Sequence, residues 1–211
     1  MSIMFNRKVA AALAASVVAL GSAGVAQAGK PVGAGKSPVP GKPGTMNIVA
    51  FAQDFNSGLP VFDYLLSAAN CPGQGVVVSI LTGPDKVTLF APTDAAFRDL
   101  LKIDQPAEGQ PEPAGESFPC GAVPAATLTN ILAYHVTDGR RFSNSVFNKR
   151  ATKMVEMLNG QYIVTNPNST INGNGNVDDN GNAVPVGVVV PFININASNG
   201  VIHTIDTVLL P

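Results

Sequence analysis

A single domain of mixed helix and sheet is what this sequence predicts, and three observations carry the prediction. Apolar residues recur at helical spacing in several short segments between Asn47 and Val136. Asn159-Gly160 and Asn199-Gly200 are turn dipeptides beside β-branched runs. The last segment, Asn199 to Pro211, is apolar on both faces. Alternation puts Val201, His203, Ile205 and Leu209 on one face and Ile202, Asp206, Val208 and Leu210 on the other. It reads as a central strand with a histidine and an aspartate built in. Burying either is costly without hydrogen bonds, so partners are expected elsewhere in the chain.

The N-terminus has the form of a secretory signal peptide, residues 1–28. Arg7 and Lys8 form a charged start, an alanine-rich apolar run follows, and Ala26-Gln27-Ala28 is a small-x-small cleavage site. A membrane anchor is the alternative. Ser16, Gly21, Ser22 and Gly24 interrupt the run and a cleavage site follows it, which favours removal near Ala28. No other segment has the apolar length to span a bilayer. Residues 29–45 are rich in Gly, Pro and Lys and predict a linker. Residues 46–211 are long enough for one domain with its own core, and no internal repeat is present.

Of 211 residues, 13 are Lys or Arg and 14 are Asp or Glu. Without the leader the balance is 11 to 14, a net of −3. That balance does not support nucleic-acid binding. The charges are uneven, however. Arg140, Arg141, Lys149, Arg150 and Lys153 lie close together, while Asp94, Asp99, Asp104, Glu108, Glu112 and Glu116 crowd an earlier stretch. The plain reading is a solvated surface. The sharper one is a basic patch for an acidic polysaccharide or an anionic cell surface. Cys71 and Cys120 are an even pair in an exported chain, which predicts a disulfide and leaves too few cysteines for a structural zinc site.

The elements follow in order. Asn47–Phe55 has helical spacing, and Pro60 starts a second helix that turns Val61, Phe62, Leu65 and Leu66 to one side. Val76–Leu81 is an apolar run compatible with strand or helix. Gly83-Pro84-Asp85 is a turn, and Val87–Ala91 is a strand. Thr93 caps a helix through Leu101, with Asp94 in its first turn. Four prolines make 103–123 a loop tethered by Cys120. Pro124 opens a helix whose Leu128, Ile131, Leu132, His135 and Val136 share one face. Val155–Asn166 is a hairpin, and a further pair of strands flanks the Asn/Gly-rich stretch 166–182.

Chemistry-bearing residues are few. His135 and His203 are the chain's two histidines. Catalysis would need a positioned nucleophile and base, and no nucleophile-elbow pattern is present, so satisfied core histidines are expected. His203 and Asp206 point to opposite faces of a strand and cannot share a metal. Asn176, Asp178, Asn180 and Gly181 match the front half of a calcium loop. Its twelfth position is Gly187, where a bidentate Glu is required. A mobile loop is the favoured reading of that stretch, and no metal or cofactor is expected. Asn168-Ser169-Thr170 and Asn196-Ala197-Ser198 fit the N-glycosylation pattern.

Three stretches resemble one family. Thr88-Leu89-Phe90-Ala91-Pro92-Thr93-Asp94-Ala95-Ala96-Phe97 is similar to the first signature of fasciclin-like (FAS1) domains. Leu132-Ala133-Tyr134-His135-Val136 is similar to their central Tyr-His motif, and Asn199–Pro211 to their C-terminal signature. The resemblance covers nearly all of 46–211. The acidic, proline-rich insertion with Cys120 and the long Asn/Gly loop depart from it. It implies an α+β fold, a β-wedge of two sheets with several helices packed on one side. It also implies a structural role for the motif residues Thr88, Thr93, Asp94, His203 and Asp206.

By the same resemblance the chain is a non-enzymatic adhesion or matrix-associated module, secreted or periplasmic. Its implied partners are a cell-surface protein or a polysaccharide. Some vertebrate members bind integrins near the Tyr-His region. This chain has no Arg-Gly-Asp and no Asp-Ile pair of the kind they use, so integrin binding is not expected. The candidate contact surface is Tyr134 and His135 with Arg140, Arg141, Lys149, Arg150 and Lys153. A carrier of an apolar ligand such as a carotenoid is the alternative, and a histidine-dependent hydrolase ranks last.

Overall fold

The computed structural model describes residues 44–54, 62–107, 110, 113, 115–178 and 180–211. The expected leader, most of the linker, Pro60, Val61, Glu108 and Glu112 lie outside the described residues. Among the described residues, the Gly44 N–H donates to Asn196 O (3.1 Å), so this residue of the expected linker lies against the domain.

Among the described residues three short helices come first: α1 (Ile48–Asp54), α2 (Asp63–Ala69) and α3 (Gly75–Thr82). The ambiguous run 76–81 is therefore helix. Asn47 caps α1 by accepting from Ala50 N (2.8 Å). β1 (Val87–Pro92) follows, then α4 (Asp94–Leu101), where Thr93 Oγ1 accepts from Ala96 N (3.3 Å). α5 (Ala125–Ala133) begins after Pro124 and stops sooner than its apolar stripe suggested. Tyr134 and His135 lie just past its end, and Val136 already belongs to β2 (Val136–Asp138). The single turn α6 (Ser143–Val146) precedes β3 (Lys153–Glu156), β4 (Tyr162–Thr165), β5 (Thr170–Asn172) and β6 (Val186–Gly187). β7 (Ile195–Ala197) and β8 (Gly200–Ile205) complete the order.

The described strands form two sheets. Sheet A has the order β2-β1-β8-β7, and sheet B the order β3-β4-β5-β6. In sheet A, β1 and β8 are parallel, in register from Val87↔Gly200 to Pro92↔Ile205, although more than a hundred residues separate them along the chain. β8 is thus an inner strand and every one of its residues is buried, as its two apolar faces demanded. Sheet B is an antiparallel meander whose first hairpin turns at Gly160 (φ +80°).

Alternation along β1 and β8 feeds two cores. Val87, Leu89, Ala91 and Ile202 face the helices, packing with Ile48, Leu65, Leu81, Phe97 and Leu128. Phe90 and Ile205 face the other way, packing with Val155, Ile163, Ile171 and Val186 of sheet B. Sheet A is therefore the middle layer, with helices on one face and sheet B on the other.

Long-range polar links hold the layers in place. Asn199, expected only as a turn residue, is 3% exposed. Its side chain donates to Leu81 O (2.7 Å) and Gly83 O (3.1 Å) and accepts from Ile48 N (2.9 Å). One amide thus joins the end of α3 and the start of α1 to β8 and satisfies groups that helix ends leave open. Asn176 does the same for the C-terminal tail, donating to Val208 O (2.8 Å) and accepting from Leu210 N (2.9 Å). The Asn/Gly stretch is therefore anchored at its middle rather than mobile throughout, and β5 lies inside it.

The 103–123 loop is fastened at several points. Cys71 and Cys120 are disulfide-bonded across 49 residues. In the chain-entropy picture such a loop contributes roughly 4 kcal/mol. Arg98, 1% exposed, pairs with Glu116 and stacks 5.9 Å above the Tyr64 ring, so this buried cation is neutralised. Gly115 N donates to Asp63 Oδ2 (2.6 Å), Phe118 N to Ser67 Oγ (2.7 Å), and Phe118 meets Phe97 edge-on at 6.0 Å.

Candidate functional site

The residues singled out by sequence fall into two groups, one interior and one exposed. Tyr134 and His135 belong to the first, which corrects their assignment to a contact surface: they are 0% and 1% exposed. The end of α5 drives both into the space between the layers. Tyr134 packs among Phe90, Ile163 and Leu209. Its hydroxyl donates to Tyr162 O (2.8 Å) and accepts from Asn174 N (3.1 Å). His135 Nδ1–H donates to Ile131 O (2.8 Å), and Nε2 accepts from Leu209 N (2.9 Å). One imidazole thereby finishes α5 and holds the C-terminal tail.

His203 has the same logic on β8. Nε2–H donates to Arg141 O (2.8 Å), Nδ1 accepts from Asn194 N (3.4 Å), and the ring stacks on Phe90 at 5.6 Å. Burial holds both histidines down at about 4, so each is neutral at pH 7 with its donor and acceptor both used. Neither is free to serve as a catalytic base or a metal ligand.

The remaining motif residues also bridge elements. Thr88 Oγ1 donates to Gly139 O (2.7 Å) and accepts from Arg141 N (2.8 Å). Asp94 is buried and accepts from Tyr64 N (3.0 Å) and Asp63 N (3.3 Å). It supplies in space the cap that Phe62 cannot supply in sequence. Burial, helped by the neighbouring Asp63 charge, pushes Asp94 up to about 7. Asp206 Oδ1 accepts from Gly187 N (2.9 Å) and Thr207 Oγ1 (2.9 Å), tying sheet A to β6.

The basic cluster divides. Arg140 and Arg141 are half-buried and committed to the fold. The Arg140 guanidinium donates to Asn196 Oδ1 and Ser198 O, and Arg141 Nε donates to Asp138 O (2.8 Å). Lys149, Arg150 and Lys153 are exposed. They line an open groove of about 650 Å³ together with Asn144, Ser145, Phe147, Asn148 and Thr152. The amide and hydroxyl members carry no sequence motif and were missed; only proximity to the cations could have marked them.

An apolar cleft of about 380 Å³ lies elsewhere, between α3 and α5, lined by Val76, Ile80, Ala126, Ala133, Val136 and Leu158 among others. The front of the calcium-like loop is occupied by the protein itself. Asn176 is engaged with the tail, and the Asp178 carboxylate accepts from Asn180 N, Asn182 N and Asn182 Nδ2. Among the described residues, no cluster of His, Cys, Asp and Glu could hold a metal ion. No helix among them is long and apolar enough to cross a membrane.

A helix layer over a middle sheet, backed by a second sheet and pinned by buried polar residues, is an α+β scaffold of the kind the three signatures implied. The family model described as the Fasciclin domain matches residues 71–211, and the chain belongs to that family. Among solved structures it is similar to a FAS1 domain pair from the insect cell adhesion molecule fasciclin I. The two are 18% identical, with a TM-score of 0.40 over 64% of this chain. The match spans 40% of that longer chain. No curated protein sequence matches.

Proposed function

We propose that this protein is an exported, non-enzymatic fasciclin-like adhesion module that attaches to cell-surface or polysaccharide partners through exposed side chains. In this reading residues 1–28 are a leader removed near Ala28, and 29–45 tether the domain 46–211. The observation that carries the reading is the separation of interior from exposed chemistry. The motif histidines and aspartates are buried or bound to backbone partners, while Lys149, Arg150 and Lys153 are exposed around an open groove, Lys153 also donating to Ser145 O. The disulfide supports an oxidising compartment, whether periplasm or exterior. A surface coated with the purified protein should hold cells of the producing organism, and added salt should reduce the count. Attachment no better than to an albumin-coated surface would sink the reading.

A carrier of an apolar ligand such as a carotenoid is the second reading. The cleft between α3 and α5 favours it, since its volume and apolar walls suit a small hydrophobic guest. Protein purified from its native host would then show a visible absorbance band.

A further inference from the structure

From the geometry of the exposed groove we infer that it binds a chain of acidic polysaccharide. The cations meet its carboxylates or sulfate esters, and the amide and hydroxyl side chains meet its sugar hydroxyls. This rests on the adhesion reading and names the class of partner.

Composition makes the groove unusual. The chain is net negative, yet the described residues lining this groove include three cations and no carboxylate. Asn144, Ser145, Asn148 and Thr152 line the same open depression as the charges. Neutral donors and acceptors mixed with cations suit a polymer that carries both hydroxyls and anions. Nucleic acid fits less well, because three cations are few for a phosphate backbone and, among the described residues, no exposed aromatic side chain lines the groove for base stacking. A bilayer fits less well too, because among the described lining residues no large apolar side chain is exposed.

The groove is also built on rigid ground. Val146 and Phe147 beneath it are buried. The Phe147 ring meets His203 edge-on at 6.4 Å, and Val146 O accepts from Thr165 Oγ1 (2.7 Å). Asn148 Oδ1 accepts from Arg150 N (3.0 Å), and Lys153 Nζ donates to Ser145 O, closing the loop onto α6. The cations are thus presented from a scaffold fixed by the second core, which lowers the ordering cost of binding.

The test is affinity electrophoresis of the purified full chain through gels containing polygalacturonate, dextran sulfate or neutral dextran. Sedimentation with vesicles of equal parts phosphatidylglycerol and phosphatidylcholine accompanies it. Retardation by one or both anionic polymers and none by dextran is expected, and the two polymers separate carboxylate from sulfate recognition. Affinity should fall about tenfold between 50 and 200 mM salt. Lys149→Glu/Arg150→Glu should weaken it at least about tenfold with the thermal midpoint unchanged. If that pair fails to fold, Lys149→Gln/Arg150→Gln should still weaken it severalfold. Three results would overturn the inference: no retardation of the wild type, equal retardation of a folded variant, or tighter binding to vesicles than to either polymer. Loss of retardation with cell attachment intact would leave adhesion standing and remove only this partner. Retardation without attachment would do the reverse.

Discussion

Sheets A and B have the same number of described strands and opposite construction. In sheet A, β1 and β8 are buried at every position and paired in parallel across most of the domain. In sheet B, β3 and β4 alternate, with Met154 and Tyr162 exposed and Val155 and Ile163 buried, and a tight turn joins them. Sheet B can assemble from local contacts. Sheet A must close a long loop before its central pair exists, which is slow and entropically costly. Its reward is a layer packed on both faces, and the buried polar residues collect along it. The difference teaches where substitutions will be felt. Sheet A should be intolerant of any added atom, and sheet B tolerant on its outer face.

The sharpest way to break this contrast is a pair of glycines. A Cβ on Gly200 would sit 2.2 Å from Val87 O and 2.7 Å from Ile48 Cδ1. Gly200→Ala should therefore cost about 3 kcal/mol or more, because backbone must move. Gly160 has φ +80° with open space around it, so Gly160→Ala should cost only about 1 kcal/mol from the left-handed conformation. Urea unfolding of both variants checks this, and equal losses would erase the distinction between the sheets.

The next effect concerns the histidines at the seam between the sheets. Both are held at about 4 in the fold against an ordinary 6.5. The unfolded chain therefore binds more protons between those values, and their stabilising contribution is complete above pH 6.5 and lost as pH falls towards 4. Each is worth about 3 kcal/mol at the acid end. Asp94 runs in the opposite sense: raised to about 7, its contribution is present below the ordinary carboxylate range and lost as pH rises through 7. The two slopes oppose one another between pH 4 and 7. Asp94→Asn should remove the upper slope and leave a steeper net rise of stability with pH over that range. Unfolding free energies at several pH values would show it, and a variant with the wild-type profile would contradict the assignment.

The smallest effect has the reverse sign. Among the described buried side chains, the Thr204 hydroxyl is without a hydrogen-bond partner. Thr204→Val keeps the shape and removes an unsatisfied oxygen, and should raise stability by about 1 kcal/mol. A lower thermal midpoint would mean that the hydroxyl has a partner after all.

Much of this was legible from the residues alone. Thr93 and Asp94 announced a capped helix, Asn159-Gly160 a hairpin, and the two apolar faces of 200–205 an inner strand. Each of those signals is local, set by backbone preference or by a period of two or 3.6. The Fasciclin signatures added the layer order. What the sequence could not carry was direction across space. Spacing put His135 on an apolar helix face, but only the stop of α5 at Ala133 and the approach of Leu209 made it a link to the tail. Asn199 and Asn176 looked like turn residues until helix ends and the C-terminal tail arrived to use their amides. Five neighbouring cations looked like one patch. Tertiary packing spent Arg140 and Arg141, half-buried, on backbone oxygens, tied the exposed Lys153 to Ser145 O, and left Lys149 and Arg150 exposed at the groove. A side chain's type is written in the sequence, but its free donors are what remains after the fold has taken its share.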